Sequence, residues 1–134
     1  MIKNGIQGSI VHTASKAWNG PPNMCAYGSS KAAVLTMMRS AAKDFGPEHK
    51  IRVNSISPCY IGPGYMWTRQ CELQASMGPP HMPSDPKAVE EKFINTPNLK
   101  RQGSVDEVIS VVLFLFSDDA SYVNGINIDI DGGM

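Results

Sequence analysis

Residues 8–34 read "GSIVHTASKAWNGPPNMCAYGSSKAAV". Ile10, Val11 and Thr13 form a short β-branched run behind Gly8, which predicts a buried strand over 8–14. "SKAWNGPPN" follows, and its Gly-Pro-Pro predicts a loop. From about Met24 the chain turns to Ala, Ser, Met and Lys, and Val34, Met37, Met38, Ala41 and Phe45 recur at helical spacing. Gly46 and Pro47 form a stop signal, so a helix is expected from about Met24 to Phe45. Strand, loop and long helix in that order open a parallel crossover.

Beyond it, "IRVNSIS" (51–57) predicts a second strand, ended by Pro58. Residues 58–103 are dense in Pro, Gly and Met and are expected to hold two short helices, 65–77 and 85–95, the second with Pro86 near its start. A connection this long inside a compact domain is expected to be a lid or binding loop. "SVDEVISVVLFLFSDD" (104–119) opens on a capping box, Ser104 to Glu107, and predicts a buried helix. A third strand is expected around Ile126–Ile130. The order βα, β, helical insert, α, β is half of a doubly wound parallel α/β sheet.

Composition agrees with one soluble core: 134 residues, 42% apolar, 18% charged and a formal net charge of zero. That charge balance argues against nucleic acid or an anionic membrane as partner. The run "VISVVLFLF" (108–116) is too short to span a bilayer, and "MIKNGIQG" lacks the apolar stretch of a secretory signal, so a cytoplasmic location is expected. Cys25, Cys59 and Cys71 fit neither a disulfide framework nor a CxxC clip. His12, His49 and His81 are scattered. No metal site is expected.

In open parallel sheets, ligands bind beyond the carboxyl ends of the strands. Ser15 lies just past the first strand, the loop before the Tyr27 helix starts at that edge, and "SPCYIGPG" leaves the second strand there. A spacing of four puts Tyr27 and Lys31 one turn apart on one helix face. Tyrosine ordinarily titrates at about 10, but a nearby ammonium favours the phenolate and makes the phenol a usable proton donor or acceptor. A serine hydroxyl beside it can hydrogen-bond a substrate oxygen. The set suits proton transfer to or from an alcohol or carbonyl. A Tyr/Lys pair on a helix surface is common and usually inert, so the pair alone is a weak signal; the serine and the shared rim strengthen it.

"GSIVHTAS", "AYGSSKAAV", "IRVNSISP", "NLKRQGSVDEV" and "YVNGINIDIDGG" together resemble the carboxyl-terminal half of the short-chain dehydrogenase/reductase family, in family order along essentially the whole chain. "GPPNMCAYGSSK" and "YIGPGYMWTRQCELQ" are most similar to xylitol-dehydrogenase-like and other polyol-dehydrogenase-like members. The resemblance implies a Rossmann fold, NAD or NADP as cofactor, a small alcohol or ketone as substrate and a homo-oligomer, dimer or tetramer. It makes Tyr27 the general acid/base, Lys31 the cation that favours its phenolate and bonds the nicotinamide ribose, and Ser15 the holder of the substrate oxygen. Pro58, Cys59 and Ile61 fall where the family lines the nicotinamide. Residues from Gly62 to about Gln102 become the substrate loop, with Tyr65, Met66 and Trp67 as candidate wall residues or as packing for that loop. Asp131 and Gly132 match a structural motif.

Four departures bear on the site. Cys59 stands where the family usually has glycine, and His12 where asparagine is common. Ser15 precedes Tyr27 by one position fewer than usual, which shortens the intervening loop. The glycine-rich segment that holds the dinucleotide pyrophosphate, and the helix with the family's catalytic asparagine, have no counterpart in these residues. The chain is therefore expected to be the carboxyl-terminal half of one Rossmann domain, residues 1–134, with an exposed strand edge and a tendency to self-associate. Two readings stay open. One is a piece of an NAD(P)-dependent alcohol dehydrogenase; the other is an inactive fragment or interaction-only homologue that binds no cofactor alone.

Overall fold

The computed structural model describes residues Met1–Met134. Three parallel strands, β1 (Gly8–Thr13), β2 (Ile51–Pro58) and β3 (Asn127–Ile130), form one sheet in the order β1-β2-β3. Helix α1 (Cys25–His49) joins β1 to β2. Helices α2 (Tyr65–Ala75), α3 (Pro86–Asn95) and α4 (Val105–Phe116) lie between β2 and β3. This is the partial doubly wound sheet that the periodicities predict. No helix is long and apolar enough to cross a membrane.

The chain divides into two compact units. One comprises Met1–Cys59 with Glu107–Ile130, the other Tyr60–Asp106 with Asp131–Met134. In the first, β2 is the central strand and is buried along most of its length. Register aligns Ile10 with Val53, and both lie on the sheet face covered by Met38 and Ala42 of α1. By strand alternation Ser9 and Arg52 point to the opposite face. There the Ser9 hydroxyl donates to the Leu115 carbonyl (2.8 Å), and Arg52 donates to the carbonyls of Leu115 (2.9 Å) and Ser117 (3.1 Å). A guanidinium on the last carbonyls of α4 suits the negative end of its dipole.

The entry to β3 is set by two asparagines. Asn54 donates to Val123 O (2.9 Å) and accepts from Ile126 N (3.1 Å). Asn124 accepts from Val53 N (2.8 Å) and donates to Ala42 O (3.1 Å). Asn54 is fully buried, and burying its amide is tolerable only because both ends have partners.

The second unit has an aromatic core. Tyr60 stacks on Phe93 with centroids 4.6 Å apart, and Trp67 meets Tyr60 and Phe93 edge-on at 6.4 and 6.1 Å. Cys71, Ala75 and Val89 fill the remainder. Asp85 caps α3 by accepting from Lys87 N (3.2 Å), with Pro86 in the first turn. Asp131 accepts from Gly133 N (2.9 Å), and Leu99 N bonds Gly132 O (3.1 Å).

Two expectations are corrected. The helix does not stop at Gly46-Pro47; it runs on to His49, and Lys50 closes it in the left-handed conformation (φ 50°) with its N–H on Gly46 O. Pro47 lacks the N–H that would bond Lys43 O, but it sits in the last turn, and the bond from Lys50 N to Gly46 O still forms after it. A Cβ at Gly46 would come within 2.9 Å of Asn124 Nδ2. The second correction concerns α4, expected to be buried. Leu115 is buried, but Val105, Ile109, Leu113, Phe114 and Phe116 are exposed. The helix is apolar around more of its circumference than one sheet face covers.

Candidate active site

The backbone delivers Ser15 directly from β1. Ala14 N still bonds Ile56 O (2.8 Å), and Ser15 then leaves the sheet in extended conformation. Its Oγ accepts from Ala17 N (3.3 Å), capping a short 3-10 turn, Lys16–Asn19, that ends at left-handed Gly20. With its oxygen occupied by that amide, the hydroxyl proton is left to be donated elsewhere.

Tyr27 is in the first turn of α1 and Lys31 is one turn later, as the spacing predicts. The Lys31 ammonium lies 5.7 Å from the Tyr27 ring centroid and donates to Thr13 O at 3.3 Å. That second bond ties the helix to the end of β1, two residues before Ser15. Tyr27 is 49% exposed. The structure thus brings Tyr27 and Lys31 together beside the strand end from which Ser15 departs.

Pro58 is the last residue of β2 and registers with Ile130; Cys59 N continues the ladder to Ile130 O (3.0 Å). Cys59 does not occupy a left-handed backbone conformation. That conformation falls to Tyr60 (φ 52°). The backbone at 59 is therefore one that any residue can adopt, although the family usually has glycine there. Ile61 belongs to the second unit, where it bridges Gly103. Of the candidate wall residues, Tyr65 and Met66 are exposed, whereas Trp67 is a core residue whose Nε1 donates to Glu90 (2.7 Å). His12 registers with Ser55, and its Nδ1 is buried without a hydrogen-bond partner. No disulfide joins the cysteines.

Sequence reasoning missed a polar network beneath Ser15. Asp129 on β3 accepts from Lys16 Nζ (2.9 Å), Trp18 Nε1 (3.2 Å) and Asn127 Nδ2 (2.7 Å). Asn127 Oδ1 accepts in turn from the buried hydroxyls of Ser55 (2.9 Å) and Ser57 (2.8 Å). The available signal was the alternation in "NIDID", which puts Asn127 and Asp129 on one face of an otherwise apolar strand. Gly28 was missed as well. A Cβ there would lie 2.8 Å from Ala17 O, so the Tyr27 turn and the Ser15 turn approach each other through this glycine.

A model of the short-chain dehydrogenase/reductase family, described as Enoyl-(Acyl carrier protein) reductase, matches residues 1–134. The chain belongs to that family. Among the relatives of this dehydrogenase/reductase chain, levodione reductase of Leifsonia aquatica is 37% identical over 128 residues, 95% of this chain and 45% of the relative. L-xylulose reductase of Caenorhabditis elegans is 36% identical over 134 residues, 99% of this chain and 47% of the relative. A crystal structure of NAD+-bound xylitol dehydrogenase superposes with a TM-score of 0.93 at 48% identity, covering 99% of this chain and 51% of the other. The chain spans about half the length of the curated relatives it matches.

Proposed function

We propose that this chain carries the acid/base residues of an NAD(P)-dependent oxidoreductase that interconverts a secondary alcohol, such as the polyol xylitol, and a ketone. The observation that carries the reading is the Tyr27–Lys31 pair held to the carboxyl end of β1, where Ser15 leaves the sheet. Similarity to a xylitol dehydrogenase and an L-xylulose reductase supports the polyol class.

The residues fit a nicotinamide riboside. Lys31 spends one ammonium proton on Thr13 O and keeps others for ribose hydroxyls. Pro58 and Cys59 close the end of β2 without a backbone conformation that excludes a side chain, and Ile61 follows them as the third candidate lining residue. Lys31, Pro58, Cys59 and Ile61 would hold the nicotinamide end, which would supply hydride donation to and acceptance from the carbon bearing the reacting oxygen. Ser15, with its Oγ already accepting from Ala17 N, donates its proton to that oxygen and orients it. Tyr27 takes the hydroxyl proton during oxidation and returns it during reduction. The Lys31 charge, fixed beside the ring, stabilises negative charge on the phenol oxygen during that transfer.

A second reading has its own observation. β1 lies at one edge of the sheet, and α4 exposes Ile109, Leu113, Phe114 and Phe116. Both favour association with a second copy or an intact homologue, and thus a chain retained for interaction.

Titration with NADH and NADPH, followed by nicotinamide fluorescence, separates the readings. Saturable binding supports the enzyme, and no binding by a folded, associated chain supports the interaction role. Tyr27→Phe should lower polyol oxidation by about 10²–10⁴-fold with cofactor affinity kept. Turnover at the original rate would refute Tyr27 as the acid/base.

A further inference from the structure

We propose that Asp129 is a positioning residue for Ser15. Through Lys16 and Trp18 it clamps the turn that Ser15 caps, and so fixes where the serine hydroxyl stands relative to Tyr27. The inference rests on the oxidoreductase reading given above.

The clamp is continuous. The turn Lys16–Asn19 is only four residues long, and its first and third side chains both reach Asp129, one to each carboxylate oxygen. Both members of the ion pair are well shielded, with side chains 14% and 27% exposed. Such a charge-assisted bond is stronger than its surface counterpart. The carboxylate cannot swing away, because Asn127 donates to the oxygen that Trp18 uses, and Asn127 is itself held by Ser55 and Ser57. Those serines lie on the central strand and are fully buried. At the other end, Ala17 O faces Gly28, next to Tyr27, at a separation that admits no Cβ. Position therefore passes from β2 through Asn127 and Asp129 to the Ser15 turn, and from that turn to the start of α1.

The clamp matters more here because the Ser15-to-Tyr27 loop is short. A short loop has little slack to restore a serine displaced from its place. A displacement of about 1 Å at a reacting group can cost some hundredfold in rate.

The test uses Asp129→Ala, and Lys16→Met as a variant outside the sheet, with Lys16→Arg as the charge-retaining control. Amide hydrogen exchange reads the turn directly at Ala17, Trp18 and Gly20, whose N–H groups bond Ser15 Oγ, Ser15 O and Ala17 O. Both disrupting variants should speed exchange at these amides by about tenfold or more, with β2 amides unchanged, and Lys16→Arg should restore protection. With the cofactor and a polyol, kcat should fall by about 10–100-fold while the KM for cofactor stays. Unchanged exchange at the turn overturns the clamp. So does faster exchange with undiminished kcat where Tyr27→Phe lowers turnover as expected. If Tyr27→Phe leaves turnover intact, the oxidoreductase roles fail, and the clamp is judged by the exchange data alone.

Discussion

The two units hold themselves together by different physics. The unit of Tyr60–Asp106 buries Trp67, Cys71, Ala75, Val89 and Phe93, an apolar interior in which one polar bond, Trp67 to Glu90, is prominent. The sheet unit buries Asn54, Ser55 and Ser57 beside its aliphatic residues. Hydrophobic burial is strong but non-directional, so it collapses helices without dictating angles. Buried hydrogen bonds are directional and costly to leave unmade, so they set positions. The turn that Ser15 caps is tied through Asp129 and Asn127 to that polar interior, where placement to a fraction of an ångström matters.

The contrast can be broken most severely at Trp67. Trp67→Ala removes the ring that meets Tyr60 and Phe93 and should cost about 3–5 kcal/mol of unfolding free energy. Hydrogen exchange should show α2 and α3 losing protection first; equal loss in β2 would mean the two interiors are not separable. Gly28→Ala should cost about 1–3 kcal/mol, because the new Cβ meets backbone rather than a yielding side chain. It should also lower turnover, since it separates the Ser15 turn from Tyr27. Ser57→Ala should cost about 1 kcal/mol, less than the others because Ser55 still donates to Asn127; denaturant melts measure both.

The smallest effect appears with pH. Burial pushes the Cys71 thiol up, and the Glu90 carboxylate pushes it further. The fold therefore holds that proton more tightly than the unfolded chain does. The resulting stability is complete below the ordinary thiol range and is lost as pH rises above about 8.5. Cys71→Ala should flatten this alkaline decline in denaturant midpoint. An identical slope in both proteins would show that Cys71 plays no part in it.

Much of the first unit was readable beforehand. Ile10 and Val53 alternate as buried strands do, and Tyr27 and Lys31 follow from a spacing of four. The helix end differs from the Gly46-Pro47 signal because the left-handed residue that closes it is Lys50, whose N–H bonds Gly46 O. The burial of α4 was misjudged because an apolar run states what water disfavours, not how much surface a neighbour covers. Asp129 escaped notice because its partners, Lys16 and Trp18, are more than 100 residues away.

The sequence by itself determined the parallel α/β class, the strand and helix order, the family and the candidate trio Ser15, Tyr27 and Lys31. These depend on local periodicity and short motifs, which neighbouring residues carry among themselves. Only the tertiary structure decided that the left-handed conformation falls to Tyr60 and not to Cys59, that Trp67 is core rather than wall, and that Asp129 grips the serine turn. Each of those depends on which distant groups the sheet brings within hydrogen-bonding or van der Waals range.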